Sequence, residues 1–189
     1  MKQIIKTSLL MFAVLTLITG ILYPAAVWVA ANLIFPFQAG GSLVKNGAEI
    51  KGSVLIAQDF LKPGYFHPRP SAVAYDASNS GGSNIAASNP DFAKSVFERA
   101  AKEKKMNPLS PGLIPVDMLT ASSSGLDPDI TMEAAFWQVK RVAAARGLDE
   151  NAVTLIIQKL KENPLLGFIG PERINVLKLN LYLDSLAAK

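Results

Sequence analysis

The chain has 189 residues, no Cys, one His, 19 Lys+Arg against 15 Asp+Glu and a mean hydropathy of +0.26. Residues 9–31 carry almost the whole apolar excess behind that average, which excludes a multi-span transporter. Lys2 and Lys6 supply half of the net charge of +4, so the rest is nearly neutral and lacks the basic face that nucleic acid requires.

Residues 9–31 read LLMFAVLTLITGILYPAAVWVAA, and the 38 positions between Lys6 and Lys45 contain no Asp, Glu, Lys or Arg. As a helix, such a segment reaches ~35 Å, enough for a ~30 Å hydrocarbon core. The pattern predicts a transmembrane helix over residues 7–32. Gly20 and Pro24 would break a soluble helix but are tolerated in lipid. Thr16 and Thr19 beside Gly20 form a small-residue face for a partner helix, or their hydroxyls bond back to their own helix. A cleavable signal peptide is the competing reading, with Lys2 and Lys6 as its basic start and Val29-Ala30-Ala31 as its cleavage site. The apolar run exceeds the usual ~7–15 residues, and Pro24 and Trp28 interrupt the approach to that site, which favours an uncleaved anchor. Lysines precede the helix and none follows until Lys45. The expected topology therefore has residues 1–6 in the cytoplasm and residues 33–189 as an extracytoplasmic domain. The lack of Cys suits an oxidising compartment.

Beyond the anchor the chain is long enough for one domain with its own core. Ser42-Leu43-Val44 and a run from Glu49 to Ile56 are expected to pair around Lys45-Asn46-Gly47, because Asn-Gly favours a hairpin turn. Residues 62–90 are rich in Pro, Gly, Ser and Asn, yet Tyr65, Phe66, Tyr75 and Ile85 interleave them, as in an ordered loop packed on a domain. Asn89 caps a helix that has Pro90 at its first position and Phe92, Val96 and Ala100 on one face. Lys102, Lys104 and Lys105 fall in its last turn, where cations suit the helix dipole. Thr131 starts a second helix, with Phe136, Val139, Val142 and Ala143 on one side and Gly147 as its C-terminal cap. Asp149 caps a third, carrying Val153, Ile156, Ile157 and Leu160 and stopping at Asn163-Pro164. Asn175 begins a fourth, with Val176, Leu179, Leu183 and Leu186 on its face. The fold class is α+β: one N-terminal transmembrane helix, then a helix-rich domain with a small sheet.

The sequence offers little that is catalytic. Gly47 and Gly52 have the spacing of a phosphate loop, but Ser53 stands where that loop needs Lys. One His and no Cys cannot build a zinc site of the usual type. A Ser-His-Asp triad would have to use His67, and no Gly-x-Ser-x-Gly turn accompanies it. Ser42 and Lys45 match a penicillin-recognising spacing whose partner motifs are missing. Two polar stretches remain. Ser80-Gly81-Gly82-Ser83-Asn84 reads as an anion-binding backbone nest or as a tight turn using Gly at φ > 0. Thr120-Ala121-Ser122-Ser123-Ser124-Gly125-Leu126-Asp127-Pro128 offers hydroxyls to a ligand or to local backbone. The residues alone point to an anchored extracytoplasmic domain, compatible with a periplasmic binding or envelope enzyme domain.

Short motifs spread over the chain resemble the C subunit of the bacterial Kdp potassium-transporting ATPase. They comprise Thr19-Gly20 with Tyr23-Pro24, Gly52-Ser53 with Gln58, and Tyr65-Phe66 with Arg69-Pro70-Ser71-Ala72. Farther along come Ser80-Gly81-Gly82-Ser83-Asn84, Ser124-Gly125-Leu126-Asp127-Pro128, Gln138 with Arg141-Val142-Ala143, Arg146-Gly147, and Asn175-Val176-Leu177 with Asn180. The chain departs from the common pattern at Ser123, where the family often has Gly. The resemblance implies a single-span, non-catalytic accessory subunit of a potassium importer in the bacterial inner membrane. Its implied partners are a channel-like potassium-translocating subunit, a P-type ATPase catalytic subunit and a small single-span subunit. The family role is a catalytic chaperone that raises the pump subunit's ATP affinity, so no cofactor is bound firmly and ATP is met, if at all, through the pump subunit. An extracytoplasmic domain would instead brace the channel-like subunit or cover its ion entrance. On this resemblance the interaction candidates are Arg69, Ser71, Ser80, Gly82, Ser83, Asn84, Ser124, Gly125, Asp127, Gln138, Arg141, Asn175 and Asn180. Thr19, Gly20, Tyr23 and Pro24 are the candidates for packing in the membrane.

Overall fold

The computed structural model describes residues 1–47 and 49–187. The chain divides into two compact units, Met1–Ile50 and Lys51–Lys189.

The first unit is built on one helical run, Lys2–Ile34, with none of its apolar window buried inside the protein. It consists of α1 (Lys2–Leu17), a π-helical turn (Ile18–Leu22) and α2 (Tyr23–Ile34). Pro24 has no N–H to give, so regular α-helical pairing with the Gly20 carbonyl is impossible there. The backbone widens instead, and the Tyr23 N–H reaches back five residues to the Ile18 carbonyl. The Thr19 hydroxyl donates to the Leu15 carbonyl at 2.7 Å, a bond within its own helix. A Cβ on Gly20 would touch only the Thr16 methyl group, at 3.8 Å, leaving that flank of the helix open. Pro36 ends α2, a single turn α3 (Pro36–Ala39) follows, and the exit runs through Gly41 and Ser42, both with positive φ.

The expected hairpin is present as β1 (Leu43–Asn46) and β2 (Glu49–Ser53), paired in a two-stranded sheet. The second strand is shorter than expected and stops at Ser53 rather than Ile56. Gly52 has φ +146, and the Ser53 hydroxyl turns the chain by accepting from the Leu55 N–H at 3.2 Å. The Gln58 side chain sits against Gly52, where any Cβ would collide with it, and donates to the Lys51 carbonyl at 3.0 Å.

The second unit contains α4 (Pro90–Met106), α5 (Val116–Leu119), β3 (Asp129–Thr131), α6 (Met132–Arg146), α7 (Glu150–Leu160), β4 (Arg173–Asn175) and α8 (Val176–Ala187). The expected caps are in place: Asn89, Thr131 and Asp149 accept from the backbone N–H groups of Asp91, Ala134 and Ala152, and Gly147 takes the left-handed conformation. β3 and β4 are additions to the expected elements. They pair antiparallel with Ile130 opposite Ile174, both buried, and each strand runs directly into a helix. Because the ladder is antiparallel, α6 leaves it from the Thr131–Arg173 end and α8 from the Asn175–Asp129 end. The core then fills from Val139, Val142 and Ala143 of α6, Val153 and Ile157 of α7, and Leu179 and Leu183 of α8. Three expectations need adjustment. Helix α7 ends at Leu160, because Glu162 leaves it to bridge Arg173 in extended conformation. Leu186 is 40% exposed and lies beyond the packed face of α8. Ile85 is also exposed, although Phe66 in the same long loop is wholly buried.

Leu179 is fully buried at the α8 contact with the core. Leu179→Ala should cost about 2–5 kcal/mol, from lost burial and the cavity left behind. Thermal unfolding of the detergent-solubilised chain measures this, and an unchanged midpoint would contradict the packing described.

Candidate functional site

Residues 54–89 contain no helix or strand, so their backbone groups must pair elsewhere. The solution is a clamp of buried side-chain amides. Asn180 of α8 accepts from the Phe66 N–H at 2.8 Å and donates to the Phe66 carbonyl at 2.9 Å. Gln138 of α6 does the same for the next residue, accepting from the His67 N–H at 2.7 Å and donating to its carbonyl at 3.1 Å. Both amides are fully buried. They serve the loop as a neighbouring strand would, and Phe66 is driven into the core between them.

Arginines take the preceding carbonyls. Arg141 donates to the carbonyls of Pro63 (2.5 Å) and Tyr65 (2.8 Å), to Gln138 Oε1 (2.7 Å) and to Asn107 Oδ1 (2.9 Å). Arg146 donates to the Gly64 carbonyl, pairs with Asp184 at 2.8 Å and lies over the Tyr65 ring. Behind Arg141, Asn107 donates to the buried Glu103 at 2.9 Å. Burial pushes the Glu103 carboxyl up, opposed by the Arg141 charge, and burial lowers the Arg141 guanidinium to about 10, so it stays charged at neutral pH. Arg146, Asp184, Asn107 and Glu103 were not among the expected interaction residues. Arg146 had a signal in its motif, whereas Glu103 sits in a lysine-rich helix end that reads as solvated.

A second cluster forms where three motifs meet. Arg69 pairs with Asp127 at 3.1 Å, and Asp127 also accepts from the Asp129 N–H at the start of β3. The Ser71 hydroxyl accepts from the N–H groups of Val73 and Tyr75, and the Tyr75 hydroxyl donates to the Arg69 carbonyl. The Gly81 N–H and the Ser80 hydroxyl both donate to the Ser124 carbonyl, at 2.8 and 3.0 Å. Of the glycines in these motifs, Gly125 alone has positive φ, +69. Gly81 and Gly82 supply neither a nest nor a φ > 0 turn. For Gly82 the role is close approach, since a Cβ there would lie 2.7 Å from the Ser123 carbonyl; one on Gly125 would lie 2.7 Å from the Gly81 carbonyl, whereas one on Gly81 itself would meet only a Val73 methyl group at 3.7 Å. Asn84 takes the positive φ instead. Ser83, Asn84 and Ser123 face solvent. Asn175 lies at a third place, joining the Val54 carbonyl, Asp129 and the first turn of α8. Thr19, Gly20, Tyr23 and Pro24 belong to the apolar helix of the first unit.

Between α4 and the loop is a cavity of about 490 Å³ whose polar lining includes Asp59, His67, Tyr75, Arg99, Lys102 and Glu103. Burial, and then the Arg141 charge, lowers the His67 imidazole to about 4, so it is neutral at pH 7. Its Nε2 lies 3.4 Å from the Lys62 carbonyl. Burial, followed by the charges of Asp59 and Glu103, pushes the Tyr75 hydroxyl up to about 12. Among the described residues no three His, Asp or Glu side chains gather to hold a metal.

Two outcomes follow from this geometry. Asn180→Asp repels the Phe66 carbonyl and should cost about 3 kcal/mol or more, since a buried backbone acceptor loses its donor; denaturant unfolding reads the loss. For His67, the unfolded chain binds a proton at 6.5 and the folded chain only near 4. Stability is therefore full above pH 6.5 and falls as pH drops through that window, by up to about 3 kcal/mol. Glu103 acts in the opposite sense, so the check is a comparison: His67→Gln should flatten the decline between pH 6.5 and 4 relative to the parent chain.

Comparison with known proteins agrees over nearly the whole length. The family model described as "K+-transporting ATPase, c chain" matches residues 5–185. The potassium-transporting ATPase KdpC subunit of Serratia proteamaculans is 49% identical over 185 residues, covering 96% of this chain and 98% of that protein. The subunit of the same name from Rhodospirillum rubrum is 45% identical over 186 residues (97% and 96%), and that from Escherichia coli is 45% identical over 185 residues (96% and 97%). The motifs that build the amide clamp and the Arg69–Asp127 cluster fall inside these matches, and the chain belongs to the KdpC family, the c chain of K+-transporting ATPases.

Proposed function

We propose that the chain is a non-catalytic accessory subunit of an ATP-driven, high-affinity potassium importer, anchored by its N-terminal helix with the second unit outside the cytoplasmic membrane. Family membership supports the accessory role. The observation that carries the rest is how the polar residues are used. Gln138, Asn180, Arg141 and Asn175 are consumed in holding backbone, which suits a rigid recognition body. Lys2 and Lys6 in the first turns of the helix, ahead of its apolar stretch, with no cation after it until Lys45, support the outward placement.

In this reading the unit stabilises the assembled complex by bracing the channel-like potassium-translocating subunit at its outer ion entrance. The exposed Ser83, Asn84 and Ser123, held on a stiff base, are its contact positions there. The P-type ATPase catalytic subunit and a small single-span subunit complete the complex. The chain binds no nucleotide firmly itself, and any rise in ATP affinity passes through the neighbouring membrane subunits.

The lack of native Cys permits a direct test of topology. Ser185, exposed on α8, is replaced by Cys, and intact spheroplasts are treated with a membrane-impermeant thiol reagent. Labelling before lysis, with co-purification of large multi-span partners, is the expected result. Protection until lysis would place the unit in the cytoplasm and restore direct ATP contact.

A further inference from the structure

The segment between α7 and β4 forms a small protruding hairpin. At its neck Glu162 and Arg173 exchange both backbone hydrogen bonds, at 2.8 and 3.1 Å. At its tip Leu165 and Ile169 do the same, at 3.0 and 2.9 Å, while the N–H groups of Gly167 and Phe168 turn back onto the carbonyls of Pro164 and Leu165. Leu166 and Gly167 both have positive φ, which makes this reversal tight. The tip nevertheless presents its apolar side chains outward: Leu165, Leu166, Phe168 and Ile169 are 68, 76, 76 and 50% exposed.

Residues 164–171 contain no charged or hydrogen-bonding side chain. Charges gather at the neck and on the adjoining helices, where Lys159, Lys161, Arg173 and Lys178 stand against Glu162, Glu172 and Asp129. Lys159 is the surplus cation, its ammonium resting on the Tyr182 ring and hydroxyl.

Protein interfaces draw their energy from Trp, Tyr and Arg anchors and carry a hydrogen bond per 100–200 Å². This tip offers one aromatic ring, Phe168, and no side-chain hydrogen-bonding group. Lipid asks for something different, an apolar surface whose backbone polar groups are already paired, because hydrocarbon supplies no partner. The turn meets part of that demand, pairing the N–H groups of Leu165, Gly167, Phe168 and Ile169. It leaves the carbonyls of Leu166, Gly167 and Phe168 to the hydrated headgroup layer, which suits a shallow position. Cations at the neck suit the anionic headgroups found at the same depth. The chain also carries its own membrane helix, so a bilayer is always at hand.

We infer that residues 164–170 dip into the headgroup–acyl boundary of the membrane that holds the chain, forming a second, shallow anchor with Lys159 on lipid phosphate. The inference does not depend on which side of the membrane the unit occupies, so it stands or falls separately from the proposed topology.

The test uses the full chain assembled with cysteine-free partner subunits in nanodiscs of phosphatidylethanolamine and phosphatidylglycerol. Phe168→Cys, Leu165→Cys and the control Ser185→Cys are each spin-labelled, and collision with oxygen is compared with collision with a water-soluble nickel chelate. At positions 168 and 165 oxygen contact should exceed nickel contact, with the order reversed at 185. Nickel contact at the tip equal to that at 185 would place it in water and overturn the inference. Exclusion of both reagents would mean a socket in a partner subunit and would overturn it equally.

Discussion

The second unit depends on two buried amides. A long segment without helix or strand has to satisfy its backbone somehow, and here Gln138 and Asn180 each grip one residue of it by both polar groups. An amide side chain is the natural tool, because it carries a donor and an acceptor with the spacing of a peptide group. Arg141 and Arg146 extend the grip toward the N-terminal side, so the carbonyls of residues 63–67 are all held by side chains. Such groups are costly to bury singly and stable only when every partner is present.

That arrangement requires α6 and α8 to arrive at the loop together. The pairing of β3 with β4 ties their starts to one another, from opposite ends of a ladder only three residues long. Because each strand leads straight into its helix, the Ile130–Ile174 contact fixes the relative start of both helices. Asp129 and Asn175, opposite each other in the same ladder, then reach outward to Arg173 and the Val54 carbonyl. Through Asp127 the start of β3 is also tied to Arg69 and the serine-rich cluster. The polar clusters are thus joined through one short ladder.

What the sequence revealed follows from the range of each interaction. The caps at Asn89, Thr131, Asp149 and Gly147 are local events, written within three or four residues, and they occur where expected. The amphipathic faces of α6 and α7 were equally legible. The roles of Gln138 and Asn180 were not, because their partners lie 71 and 114 residues away and a buried amide breaks the apolar periodicity. β3 and β4 were too short to show alternation. Gly81 and Gly82 suggested special backbone angles, whereas the fold uses Gly82 for thinness against Ser123 and sets the Gly81 carbonyl against Gly125, a demand visible only once two distant loops meet. Family resemblance singled out these stretches without showing that they converge.

The widened turn at residues 18–22 has a consequence for assembly in the membrane. One residue inserted into an α-helix rotates everything beyond it by about 100° relative to an unbroken run. Thr16 and Trp28 would stand about 120° apart on an unbroken helix, and the inserted residue reduces this to about 20°, so the side of α1 that carries Thr16 continues into the side of α2 that carries Trp28. A straight neighbouring helix laid along that side meets both halves, where an unbroken helix would turn one of them away.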